Sequence, residues 1–213
     1  MKAIHVIMSG ILFLLTLAAP LVNWIFILSP LREGMTAAIT AETTILTRVS
    51  IVIHVSASLF VMLLAYHLYM MFRNKGKGIP VLALILKTSE GLMILCLALV
   101  QYMVYSMSVP GSLIGQLHLW YLDNYISFTA LPGILMGLSM MLFSLLFYAT
   151  RIIPAWLSWL GILSNILVIF YDISIILSLE IVQVPLVQLI GSLPVVAFQA
   201  ITGSCLIIKS RKL

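Results

Sequence analysis

Six long apolar segments constrain the fold of this chain more than any other feature of its sequence. They lie at 4–28, 49–72, 79–107, 125–150, 155–178 and 185–208. Each is long enough to cross the hydrocarbon core of a bilayer, which takes about 20 apolar residues in a helix. Helices are expected because they satisfy their own backbone hydrogen bonds where water is absent. The sequence therefore predicts an all-α, polytopic transmembrane bundle of six helices, forming a single membrane domain over 1–213.

Composition excludes the water-soluble classes. Hydrophobic residues make up 63 % of the 213 residues and charged residues only 8 %, which is too little polar surface to cover a soluble globule. The net charge of +5 comes from basic residues scattered over the segment ends, so no nucleic acid partner is expected. Cys96 and Cys205 both lie within apolar segments and are interpreted as small buried hydrophobes. The expected surroundings are a lipid bilayer.

Basic residues also predict the orientation of the chain. Eight of the eleven flank the segments on one side of the membrane, two (Arg32 and Arg48) lie on the other, and Lys87 lies within a span. The eight are Lys2, Arg73, Lys75, Lys77, Arg151, Lys209, Arg211 and Lys212. Loops rich in lysine and arginine stay in the cytoplasm. Both termini are therefore predicted to be cytoplasmic.

A lysine and a glutamate interrupt the third apolar segment. Lys87 and Glu90 are three residues apart, which places them one turn apart on the same face of a helix. A charge inside hydrocarbon is costly, so such residues usually face the interior of a bundle and pair with each other. Two interpretations stay open: an ion pair that only orders helix packing, and a buried carboxylate that carries a proton or binds a cation or amine.

Counting along the spans at 1.5 Å per residue gives each polar residue an approximate depth. Glu90 falls near the midplane together with Asn165 and Gln199, whereas Asp172 lies in the outer third near the levels of His54 and Asn23. The candidates for ligand binding or ion coupling are Lys87, Glu90, Asn165, Asp172, Gln199, His54 and His67. Sequence alone does not establish whether their side chains converge.

No known catalytic or metal-binding pattern is present. The sequence contains no HxxxH or HExxH pair, no Cys/His cluster, no phosphate-binding loop and no GxSxG elbow. We therefore expect no catalytic residue, no metal and no cofactor, and the sequence favours a protein that is not an enzyme. Gly133 and Gly137 form a GxxxG motif, which permits close helix approach within the bundle or in a homo-oligomer.

Several motifs resemble a family of small six-helix bacterial membrane proteins that is catalogued as a domain of unknown function. They are Leu68-Tyr69 before a basic turn, Lys87-Thr88-Ser89-Glu90-Gly91, Arg151-Ile152-Ile153-Pro154-Ala155-Trp156-Leu157, Leu193-Pro194 followed by Gln199, and Ile207-Ile208-Lys209. The chain departs from the family pattern at Ala155, where the family carries arginine, and at Ala200, where it often carries glutamate. The resemblance implies a six-helix fold in the bacterial plasma (inner) membrane.

Two functions are consistent with these residues. The first is a multi-pass membrane protein that binds a small or lipid-like ligand, or a membrane partner, in a polar pocket around Glu90. The second is a proton- or cation-coupled transporter of a small solute that uses Glu90 and Asp172. An enzyme acting on lipid within the membrane lacks a supporting motif.

Overall fold

The expected all-α bundle of six apolar helices is confirmed. The computed structural model describes residues 3–28, 41–76, 78–106, 120–121, 124–179 and 184–210. Its long helices are α1 (Ala3–Asn23), α2 (Ala41–Phe72), α3 (Gly78–Ser106), α4 (Tyr125–Thr150), α5 (Ala155–Ile176) and α6 (Pro185–Ser210). All six are long and apolar enough to cross a membrane.

The first span ends in an irregular turn. A π-helical turn, Trp24–Leu28, follows α1 directly and begins four residues after Pro20. Proline cannot donate the backbone hydrogen bond that a regular helix requires, and a π turn changes the face that the following residues present. Asn23 and Trp24 therefore stand at a change of helical register.

The second helix is longer than the apolar segment that predicts it. It begins at Ala41, whereas the hydropathy pattern places the start of the span at 49. Hydropathy marks only the part of a helix that lies in hydrocarbon, so the polar first turns of α2 escape it. The connections at 29–40, 107–119 and 180–183 lie outside the described residues.

The six helices form a closed ring. Each helix packs against its neighbours in sequence, and α1 also packs extensively against α6. This last pair approaches closely at Gly10 and Gly203, where backbone meets backbone. The ring therefore closes between the first and last helices, which are separated by most of the chain.

Aromatic and aliphatic side chains fill the ring at the end that carries residues 3 and 210. Phe13 of α1 meets Phe198 of α6 edge to face, and Phe72 of α2 packs on Phe143 and Phe147 of α4. We call this cluster the apolar plug; its buried members include Val6, Leu12, Phe13, Leu64, Leu68, Phe72, Ala83, Met140, Phe143, Phe147, Leu157, Phe198 and Leu206. Its interdigitated side chains occupy this half of the bundle.

The GxxxG motif serves packing between neighbouring helices of the same chain. A Cβ atom at Gly133 would fall on the Asp172 carboxylate of α5, and one at Gly137 would lie 3.0 Å from the Asn165 carbonyl oxygen. Small residues let helix backbones approach closely where lipid gives no hydrophobic driving force. Of the two uses expected for this motif, the structure displays the one within the bundle.

Candidate functional site

A buried hydrogen-bond network joins four helices near the end of the bundle opposite the apolar plug. We call it the His54 network; its members are Asn23, Ser50, His54, Gln101 and Tyr125. His54 Nδ1 lies 2.9 Å from Gln101 Oε1, and His54 Nε2 lies 3.1 Å from Asn23 Nδ2 and contacts the Tyr125 hydroxyl. Gln101 Nε2 in turn donates to Ser50 Oγ at 3.1 Å. Side chains from α1, α2, α3 and α4 thus meet at one imidazole.

The partners of His54 define its tautomer. Nε2 faces two donors, the Asn23 amide and the Tyr125 hydroxyl, and so accepts hydrogen bonds. Nδ1 faces the Gln101 carbonyl oxygen and therefore carries the proton. This assignment follows from the network, because hydrogen positions are inferred from their partners. The imidazole is thus neutral and fully hydrogen-bonded within the network.

One polar atom of the network has no partner among the described residues. Asn23 is 1 % exposed, and its Oδ1 makes no hydrogen bond within the described part of the chain. A buried amide oxygen without a partner costs about 1–3 kcal/mol, so native structures rarely leave one unused. Asn23 Oδ1 is therefore an acceptor available to a donor group placed beside it.

Local structure explains why these side chains point inward. On α2, the buried residues Thr47, Ser50, His54 and Ser58 recur every three or four positions, which lines them along one face of the helix. Asn23 is the last residue of α1 before the π turn, and Tyr125 is the first residue of α4. The network is thus formed by residues at the ends of α1 and α4 and by one polar face of α2.

Aromatic rings cover the network. Trp24 stacks on Tyr125 with ring centroids 6.2 Å apart, and Tyr121 meets Tyr125 edge to face. Tyr121 also stacks on Phe128 at 5.3 Å, and its hydroxyl lies 3.4 Å from the Leu97 carbonyl oxygen. These rings separate the hydrogen bonds below them from the end of the bundle.

Tyr121, which lies between the α3 and α4 spans, offers a test of this aromatic cover by pH. Burial raises the pKa of Tyr121 to about 12. The unfolded chain loses this proton from about pH 10, whereas the folded chain keeps it, so stability is expected to fall as the pH rises from 10 to 12. The Tyr121→Phe variant should lack this part of the loss, up to about 3 kcal/mol. Unfolding in detergent between pH 9 and 12 measures the effect, and parallel profiles for the two proteins would contradict it.

An apolar groove runs along the outside of the bundle next to the His54 network. It has a volume of about 350 Å³ and lies between α1 and α2, lined by Leu15, Ala18, Ala19, Val22, Ile53, Ser56 and Phe60. The Ser56 hydroxyl donates to the Val52 carbonyl oxygen at 2.8 Å, so it adds little polarity. Val22 and Ile53 directly precede Asn23 and His54. One end of the groove is thus at the level of Asn23 and His54 on the two helices.

Lys87 and Glu90 form the ion pair that their spacing predicts. Lys87 Nζ lies 3.1 Å from Glu90 Oε1 in hydrogen-bond geometry and 2.8 Å from Oε2. The lysine is 2 % and the glutamate 3 % exposed. Within the described residues, neither side chain has another hydrogen-bond or charged partner. The next residue, Gly91, packs closely on Ser58 and Met62 of α2.

The candidates on α5 and α6 have separate surroundings. Asp172 is 8 % exposed and lies against Gly133 of α4, and its Oδ2 has no hydrogen-bond partner among the described residues. Asn165 Nδ2 donates to the carbonyl oxygen of Gly161 in its own helix at 2.6 Å. Gln199 Nε2 contacts Met136 Sδ at 3.9 Å. These three side chains therefore face α4 or their own helix, away from the His54 network.

His67 belongs to the other end of the bundle. Its Nδ1 lies 3.0 Å from His5 Nδ1, and the two rings are 5.2 Å apart. His54 and His67 share α2, but their partners are on different turns of α1. Within the described part of the chain, no three His, Cys, Asp or Glu side chains gather in one place.

Depth counting placed Asn23 near the level of His54, but Ser50, Gln101 and Tyr125 were not among the predicted site residues. Gln101 lies close to the end of a span, where polar residues are ordinary, and a tyrosine at the start of a span, such as Tyr125, is typical of the membrane interface. The available signal was the stripe of small polar residues around His54 on α2. Its spacing predicts a buried polar face.

Fold and site together define a six-helix integral membrane protein with buried polar groups inside an apolar bundle. A family model matches residues 8–210, nearly the whole chain. The protein belongs to that family, DUF4386, which is described as a domain of unknown function. The expected family resemblance is thereby confirmed. Searches of curated proteins and of solved structures found no match to this sequence.

Proposed function

We propose that this protein binds a lipid-like ligand between α1 and α2. The observation that carries the proposal is the apolar groove beside the His54 network. The apolar part of the ligand would lie in the groove, and its polar end would reach Asn23 beside His54. Most ligand sites combine apolar walls with a few placed polar groups in this way.

Asn23 Oδ1 supports a ligand that carries a hydrogen-bond donor. This buried oxygen has no partner among the described residues, while His54 is saturated by its neighbours. A hydroxyl or amine at the polar end of the ligand would satisfy it. A carboxylate there would face an acceptor and would be repelled.

The predicted pocket around Glu90 is the alternative position for the ligand. In its favour, Lys87 has three N–H groups, and the Glu90 carboxylate is its one partner among the described residues. Buried ion pairs need further hydrogen bonds to offset their loss of hydration. Burial does not separate the two positions, because Asn23 is as buried as Lys87 and Glu90. The groove favours Asn23, since its lining residues Val22 and Ile53 directly precede Asn23 and His54.

Coupled transport is the second candidate function, and Asp172 favours it. A carboxylate in hydrocarbon is costly unless it is paired or neutralised, and Asp172 Oδ2 has no described partner. A proton or cation at Asp172 would meet this need. The proposed setting for either function is the bacterial inner membrane, with both termini in the cytoplasm.

Analysis of co-purifying molecules tests the binding proposal. We expect organic extracts of the purified protein to contain one lipid-like species enriched over the bulk lipid, as measured by mass spectrometry. Asn23→Leu should lower its recovery about tenfold, because a hydrogen bond to a buried acceptor is lost. Ala18→Phe should lower it similarly by filling the groove.

Matched variants separate the site from general effects on the bundle. His67→Phe changes a histidine at the other end of α2, and Leu92→Phe adds bulk on the exposed face of α3. Both should retain the species. Unchanged recovery in Asn23→Leu and Ala18→Phe would overturn the groove proposal. Gradient-driven solute uptake in proteoliposomes that Asp172→Asn abolishes would favour transport instead.

A further inference from the structure

We propose that a second cleft, formed by Arg151 and Lys209, binds the phosphate group of an anionic phospholipid. The cleft has a volume of about 490 Å³ and lies at the end of the bundle that carries residues 3 and 210. The α4–α5 turn and the last turns of α6 form its walls. Arg151 and Lys209 contribute its charges, and Pro154, Ala155, Cys205 and Ile208 contribute apolar surface.

Protein groups leave most of this positive charge unpaired. The Arg151 guanidinium lies over the Tyr148 ring at 4.5 Å and makes no hydrogen bond within the described part of the chain. Lys209 Nζ donates to the Ile152 carbonyl oxygen at 2.9 Å, which uses one of its three N–H groups. A phosphate between the two side chains would accept from both.

No aspartate or glutamate side chain lies at this end of the bundle among the residues that the structure describes. Of the six acidic residues, Glu90 and Asp172 lie inside the spans. The others are at the opposite ends of the helices or in the connections between them: Glu33, Glu42, Asp123 and Glu180. No described acidic side chain thus competes with an external anion for Arg151 and Lys209.

Backbone geometry adds to the attraction for an anion. Helix α5 begins at Ala155 with Pro154 as its N-cap, no side chain caps it, and its first turn holds no acidic residue. The first N–H groups of a helix lack intrahelical acceptors and carry partial positive charge. The cleft thus combines two cationic side chains with a helix N-terminus, an arrangement that suits phosphate.

Arg151 occupies a conformation that glycine would adopt at less cost. Its φ of 54° and ψ of 29° place it in the left-handed region at the C-cap of α4. Glycine is the usual residue there because a Cβ atom is strained in this region. An arginine at such a position is expected where its side chain has a role, and the cleft provides one.

The surroundings place the cleft at the depth of lipid headgroups. Trp156 and Trp159 are both at least half exposed in the first turns of α5, and tryptophan prefers the membrane interface. Ile208 is 61 % exposed on α6 below the charged rim. An acyl chain can therefore follow α6 while the phosphate stays between the basic residues, which favours a membrane lipid over free phosphate.

Thiol labelling in nanodiscs tests this proposal. Cys205 lines the cleft, whereas Cys96, which the sequence predicts to be buried, is exposed on the outer surface of the α3 span. In phosphatidylglycerol nanodiscs, Cys205 should react with a maleimide about tenfold more slowly than in nanodiscs of a neutral galactolipid, which carries no phosphate. Cys96 should stay unlabelled in both, because a water-soluble maleimide does not reach a thiol inside the hydrocarbon core, so the labelling reports Cys205 alone. The double variant Arg151→Gln/Lys209→Gln should abolish the difference at Cys205.

A matched control variant and an experiment with inorganic phosphate define the results that would contradict the proposal. Arg73→Gln/Lys75→Gln removes two exposed charges from the same end but outside the cleft, and should keep the protection. Equal loss of Cys205 protection in this control would show that general surface charge causes the protection, and it would overturn the proposed site. Protection by inorganic phosphate alone in the neutral galactolipid nanodiscs would replace the lipid with a soluble anion. Persistent protection in Arg151→Gln/Lys209→Gln would also contradict the proposal.

Discussion

Replacing Lys87 alone with methionine is expected to lower the free energy of unfolding by about 3–5 kcal/mol. The substitution leaves the Glu90 carboxylate buried at 3 % exposure with no cation beside it. Glu90→Leu alone should cost a similar amount, because it strands the lysine. An uncompensated charge inside a membrane bundle has few ways to recover its hydration.

The double variant Lys87→Met/Glu90→Leu should differ from the parent by about 1 kcal/mol or less. Apolar side chains of similar volume often replace a buried ion pair without loss, because the pair's attraction mainly offsets its desolvation. Unfolding in mixed detergent and denaturant would give all four stabilities of the double-mutant cycle. Two near-neutral single variants would show that the pair is hydrated in the folded protein.

This cycle also bears on the function. If the double variant folds but no longer retains the co-purifying species, the ligand belongs around Glu90 and the groove proposal gives way. If it retains the species, the ion pair is a packing element. Lys75→Met, which removes an exposed charge at the end of α2, is the control for loss of a lysine in general.

Replacing Gly10 or Gly203 with alanine is expected to cost about 1–3 kcal/mol each, because overpacking a tight contact forces backbone shifts. A Cβ atom at Gly10 would lie 2.7 Å from the Gly203 carbonyl oxygen, and one at Gly203 would lie 2.9 Å from the Gly10 carbonyl oxygen. Neither oxygen can turn away as a side chain could. The added methyl group must therefore push α1 and α6 apart, and these are the two helices that close the ring.

The double variant Gly10→Ala/Gly203→Ala should cost less than the sum of the single variants. A single increase in helix separation relieves both clashes, so the two effects are coupled. Gly78→Ala is the matched control, since nothing lies within 4 Å of the added Cβ atom. Thermal unfolding in detergent compares the series. A Gly10→Ala protein as stable as Gly78→Ala would contradict the close crossing of α1 and α6.

Much of the fold could be predicted because it depends on local sequence. The six spans follow from the length of apolar runs, and the Lys87–Glu90 contact follows from their spacing within one helix. Which helices pack against each other was harder to predict. Gly133 and Gly137 predicted a close contact, but the identity of its partner, α5, depends on how whole helices pack.

The candidate site was predicted only in part, for a physical reason. Depth counting put His54 and Asn23 at similar levels, since rise per residue is constant along a helix. It also grouped Asp172 with them, although Asp172 packs on Gly133. Depth contains no information on rotation about the helix axis, so it cannot separate side chains that share a level but face different neighbours.

The sequence by itself determined the number of spans, the Lys87–Glu90 pair and the concentration of basic residues at one end. These properties depend on residues within one segment or on simple counts. Only the tertiary structure decided that α1 closes the ring on α6, and that four helices bring Asn23, Gln101 and Tyr125 to His54. Helix rotation and pairing are decided by packing between segments far apart in the chain, where hydrophobicity alone is uniform.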